Sequence, residues 1–96
     1  MSAIEFGSEQ ATAITQSTKF LEDVRNIDWN GIREDCVELY YNGEVYYAEA
    51  ICKAGGKTWK KRGKTCSDKG LATVSAVAAL MLHMSKLALT VQAVQQ

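Results

Sequence analysis

Ninety-six residues, 47% of them hydrophobic and 23% charged, fit one soluble globular domain near the lower size limit for a self-sufficient core. A formal net charge of zero gives the whole chain no field to attract nucleic acid or an acidic surface, and the lack of proline argues against a Pro-rich linker. Cys36, Cys52 and Cys66 are odd in number and form no CxxC pair. With no signal-peptide pattern and no Asn-x-Ser/Thr acceptor, they predict reduced thiols in a cytoplasmic protein.

The zero balance hides a segregation of charge. Residues 1–52 carry ten acids against three bases, whereas residues 53–69 carry seven bases (Lys53, Lys57, Lys60, Lys61, Arg62, Lys64 and Lys69) against Asp68 alone. The local field around 53–69 therefore matters more than the overall charge.

In chain order, "EFGS" at residues 5–8 is a stretch that two adjacent cloning sites also encode, and residues 1–7 are set apart as an N-terminal arm. Residues 8–96 are read as one domain. From Ser8, apolar or small residues recur at Ala11, Ile14, Thr18, Leu21 and Val24, predicting a helix that ends near Asn26. "DWNG" then reads as a loop. "CVELYY-NG-EVYYAEAICK" is two β-rich runs around Asn42-Gly43, a strong type I′ hairpin signal. A two-residue turn there sets Leu39 opposite Tyr46 and Val37 opposite Ala48. One face would carry Val37, Leu39, Tyr46, Ala48, Ala50 and Cys52 as core. The other would carry Cys36, Glu38, Tyr40, Val45, Tyr47, Glu49 and Ile51.

Gly55-Gly56 is a second turn signal, pairing Cys52 with Trp59, Ile51 with Lys60 and Glu49 with Arg62. Trp59 then points inward, and Lys60 and Arg62 point outward beside Tyr40 and Tyr47. Ser67 is a candidate N-cap for a long helix from Leu71 to about Val94. Leu71, Val74, Val77, Ala78, Met81 and Leu82 spread around that helix, predicting burial on more than one side and a helix–helix homodimer contact. His83 and Lys86 interrupt the ~20 apolar residues that a membrane span needs. The expected fold class is α+β, in the order α-β-β-β-α, with helices packed on one face of a three-stranded antiparallel sheet.

Chemistry is sparse. "GKT" occurs at Gly56 and at Gly63, but a P-loop needs a glycine five residues before its GK glycine, and Ile51 and Thr58 stand there. His83 is the sole histidine, with no nucleophile placed near it by local sequence. The three cysteines and His83 lack the paired spacing of a zinc site. No catalytic residue, cofactor or metal is expected, and the protein reads as a non-enzymatic binding module. Lysines on an edge strand also suppress aggregation. Seven bases against one acid in seventeen residues exceed that need. The expected site is Lys53, Lys57, Lys60, Lys61, Arg62, Lys64 and Lys69, flanked by Tyr40 and Tyr47, facing nucleic acid or an acidic protein surface.

"GKTCSDKGLATVSAVAALMLHMSKL", with the strands before it, resembles the C-terminal half of a double-stranded-RNA-binding domain over roughly residues 35–87. Ser67 and Lys69 fall on that family's Ser and second Lys. Asp68 stands at its first Lys and Leu71-Ala72 at its Ala-Lys. The resemblance implies the α-β-β-β-α fold and an RNA-facing helix start. Antitoxin domains of the HicB type share a similar β-β-β-α run. The small size and charge segregation are also similar to phage inhibitors of bacterial defence, including anti-CRISPR proteins, which implies stoichiometric protein–protein binding as the alternative.

Overall fold

A computed structural model describes residues 17–95. The expected arm and the expected helix start at Ser8 lie outside the described residues. The elements are α1 (Ser17–Arg25), α2 (Trp29–Asp35), β1 (Val37–Tyr41), β2 (Tyr46–Ala54), β3 (Lys57–Arg62) and α3 (Lys69–Gln95). The strands form one antiparallel sheet in the order β1-β2-β3, with α3 packed across it, so the fold is α+β.

"DWNG" is not a loop. Asp28, in extended conformation, caps α2 by accepting a hydrogen bond from the Gly31 N–H at 3.2 Å. The Asp and Gly that suggested a turn are thus an N-cap and the first-turn donor that it satisfies. Of the expected α1 stripe, Leu21 and Val24 pack half-buried against the core and Thr18 is exposed, while Phe20, outside that stripe, is fully buried. Phe20 meets Trp59 edge-to-face, with ring centroids 5.6 Å apart.

The two turns differ. Gly55 and Gly56 both have positive φ (64° and 79°), and Cys52↔Trp59, Ile51↔Lys60 and Glu49↔Arg62 pair as expected. In the first hairpin only Gly43 has positive φ, at 96°. Asn42 sits one position earlier than expected, donating its N–H to the Val45 carbonyl (3.2 Å) and accepting from the Glu44 and Val45 N–H groups through Oδ1. The central pair is therefore Gly43-Glu44, the glycine-first pattern of a type II′ turn. Moving the turn by one residue moves the partners by two, so Leu39 faces Ala48 and Val37 faces Ala50. A slip of two preserves every side chain's face. Burial does not follow on β1, however: Leu39 is 43% exposed because α3 lies mainly over β2 and β3.

Ala48, Ala50, Cys52 and Ala54 line the helix side of β2, and Trp59 adds the one large strand residue. Against them α3 sets Ala72, Ala76, Val77, Leu80, Met84, Leu87 and Val91. The small residues allow close approach, and Gly63 marks its limit. A Cβ at Gly63 would fall into the backbone of Ser75 and Ala76, 2.6 Å from the Ser75 carbonyl carbon. The next residue, Lys64, donates its N–H to Ser75 Oγ at 2.7 Å. Ala48 still pairs with Gly63, but Tyr46 pairs with Cys66, so β3's continuation holds one extra residue, a β-bulge at Lys64-Thr65.

Gly63→Ala is expected to destabilise the fold by about 1–3 kcal/mol, the usual range for overpacking, because the obstructing atoms are backbone. Urea unfolding of the two proteins measures it. An unchanged midpoint would show that α3 does not lie this close to the sheet.

Candidate binding surface

The face of the sheet opposite α3 carries no described helix. Strand alternation puts Glu38 and Tyr40 (β1), Tyr47, Glu49, Ile51 and Lys53 (β2), and Thr58, Lys60 and Arg62 (β3) on it. None of them is buried, whereas Ala48, Ala50, Cys52, Ala54 and Trp59 on the other face all are.

A row of rings crosses this open face. Tyr40 and Tyr47 stack with centroids 5.0 Å apart and planes 14° from parallel, and the Arg62 guanidinium carbon lies 4.6 Å from the Tyr47 centroid. Tyr40 comes from β1 and Arg62 from β3, so they occupy opposite sides of Tyr47. The tyrosines were expected to offer an open stacking surface. Instead Tyr47 is sandwiched, and only the outer face of Tyr40 is left for a partner. The row is braced by acids: Tyr40 Oη donates to Glu38 Oε2 at 2.5 Å, and Arg62 pairs loosely with Glu49 at 3.9 Å.

The structure brings only part of the expected site together. Lys53, Lys60, Arg62, Tyr40 and Tyr47 share the open face. Lys57 and Lys61 alternate to the α3 side, where the Lys57 ammonium stands 5.1 Å from the Trp59 ring centroid. Lys64 sits in the bulge, and Lys69 opens α3 on a separate element. β3 is an edge strand, so lysines from both of its faces fan around one sheet edge. The positive footprint is consequently the β3 edge. The open face itself balances Lys53, Lys60 and Arg62 against Glu38 and Glu49, two acids whose effect comes from alternation with the tyrosines.

The start of α3 departs from the RNA-binding pattern. Asp68, not Ser67, is the cap: its Oδ1 accepts from the Leu71 N–H at 2.9 Å and its carbonyl from the Ala72 N–H at 3.0 Å. A carboxylate complements the positive end of the helix better than a hydroxyl, and it occupies the place where a phosphate would dock. Elsewhere, His83 is half-buried with its ring 6.1 Å from Trp59. Among the described residues no group of three His, Cys, Asp or Glu side chains is placed to hold a metal ion.

Two titrations test these environments. The hydrogen bond to Glu38, helped by desolvation and the nearby negative charge, pushes the Tyr40 phenol up from 10.0 to about 12. A pKa raised by folding stabilises the fold below pH ~10, and that contribution is lost as pH climbs towards 12. Tyrosinate absorbance should therefore show one late transition that Glu38→Gln moves back towards 10. Burial, with Cys36 nearby, pushes the Cys52 thiol up to about 11. Half-buried Cys36 and Cys66 should be alkylated by iodoacetamide well before Cys52, as peptide mass mapping would read.

No protein-family model, curated protein or solved structure matches the chain, so what this surface can do follows from its own geometry.

Proposed function

We propose that the protein is a non-enzymatic module that binds nucleic acid, or a nucleic-acid-processing complex, along the cationic edge formed by the Gly55-Gly56 turn and β3. The observation that carries this reading is the gathering of Lys53, Lys57, Lys60, Lys61, Arg62 and Lys64 around one edge strand of six residues, with Glu49 the only acid ion-paired to it among the described residues. Six strand residues span about 20 Å. Cations on both sides of such an edge track a phosphate backbone by charge, with little means of reading bases. The occupied tyrosine faces and the Asp68 cap favour this electrostatic mode over base stacking or a duplex docked at the start of α3.

A second reading, a phage-type inhibitor that binds a defence complex stoichiometrically, draws on an acidic groove. Asp23, Asp28 and Asp35, with Lys53, line a groove of about 580 Å³ between the first two helices and β2. Three carboxylates against one lysine give this groove a net negative sign, although Asp23 also accepts from the Gly55 N–H of the basic turn.

Fluorescence anisotropy with labelled 20-nucleotide single strands and duplexes separates the two readings. Binding through the edge should weaken steeply with salt, with a log–log slope of roughly −2 to −4 for three to five phosphate contacts. Charge reversal at Lys60, Lys61 and Arg62 should lower affinity at least about tenfold while thermal unfolding is retained. Absent or salt-insensitive binding, together with a nuclease-resistant protein complex in pull-downs, would overturn the first reading in favour of the second.

A further inference from the structure

α3 was expected to be buried on more than one side, yet only one side meets the core. Opposite it, Leu71 (62% exposed), Val74 (52%), Met81 (41%), Leu82 (58%) and Leu89 (67%) face outward, and no described element covers them. From Lys69 to Gln95 the helix has no acid, and Lys86 is its only cation past the first residue. In a chain that is 23% charged, this depletion marks the centre of an interface.

Leu71, Ser75, Ala78, Leu82, Ser85 and Leu89 follow alternating steps of four and three, the seam of a paired helix; five of them are exposed, and Ser75 sits half-buried at the flank, its Oγ accepting the Lys64 N–H. The row is also nearly the same in both directions. Reversed about Leu80, Leu71 falls on Leu89, Ser75 on Ser85 and Ala78 on Leu82. Self-complementarity under a two-fold is what an isologous contact requires. We infer that α3 pairs antiparallel with α3 of a second copy through this seam. Leucines close both ends, and Ala78 and Ser85 let the backbones approach between them. Lys86 lies on the Ser75 flank of the seam, away from Val74 and Met81. Val74 and Met81 beside the seam line a groove of about 290 Å³ with Trp29 and Arg33, which widens the contact. The seam runs about 27 Å. Specific interfaces begin at about 1,200 Å² in total, so the flanks must join the seam in the contact.

One flank of the seam adjoins the β3 edge, where Arg62 and Lys64 line a groove with Ser75, Ala78 and Leu82, but the pairing needs nothing bound there. Sedimentation of the full chain from micromolar to hundreds of micromolar should show a species of twice 10.6 kDa. Leu82→Lys and, separately, Leu89→Lys should each be monomeric with unchanged circular dichroism. Orientation is read by oxidation: Leu71→Cys mixed with Leu89→Cys should cross-link, while either variant alone stays at the wild-type level. A wild-type monomer at every concentration overturns the inference, as does dimerisation that both lysine variants retain. Self-cross-linking of Leu71→Cys overturns the antiparallel arrangement. By length and composition α3 is also long and apolar enough to cross a membrane. Flotation of the monomer with neutral phosphatidylcholine vesicles would instead assign the stripe to lipid and overturn the pairing.

Discussion

The structure depends on how closely one long helix can lie on a small sheet. Ala48, Ala50 and Ala54 on β2, Ala72 and Ala76 on α3, and Gly63 at the end of β3 remove the side chains that would hold the layers apart. Backbone then approaches backbone until a single methyl group no longer fits. Such contact gives dense dispersion interactions, but each small residue buries little apolar area. Trp59 and Phe20 supply the volume that the alanines lack. The Trp59 indole N–H donates to the Ala54 carbonyl at 2.9 Å, so the largest core residue leaves no polar atom unpaired.

That close seating distributes everything else. The helix covers β2 and β3 and leaves the far end of β1 open, so Leu39 and Tyr41 stay exposed on a face whose alternation is that of a core. Tyr41 finds Tyr46 at 4.7 Å as partial shelter. The bulge at Lys64-Thr65 lets the chain turn towards α3 and still return to pair with Tyr46. This places Lys64 beside the helix and off the sheet face.

Charge follows the same logic. Alternation along β3 sends successive cations to opposite faces, which would scatter the footprint on a central strand. On an edge strand both sets project past the same border, so one basic rim results. The Arg62–Tyr47–Tyr40 row ties that rim to the rest of the sheet, and the acids under it keep the open face near neutrality.

Much of this was legible in local sequence. The Gly-Gly turn alone set the β2–β3 register, because both glycines accept positive φ at no steric cost. The inward Trp59 and outward Lys60 and Arg62 followed from it. The α+β class followed from the change of hydrophobic period along the chain. Where two local solutions compete, the sequence was ambiguous: Asn-Gly serves two adjacent hairpin turns, and Asp-x-x-Gly serves both a loop and a helix cap. Tertiary structure alone decided which side of an all-round apolar helix is buried and that the tyrosine faces are used by each other and by Arg62. Those outcomes depend on contacts between residues far apart in the chain, and no local propensity encodes which distant partner a side chain will meet.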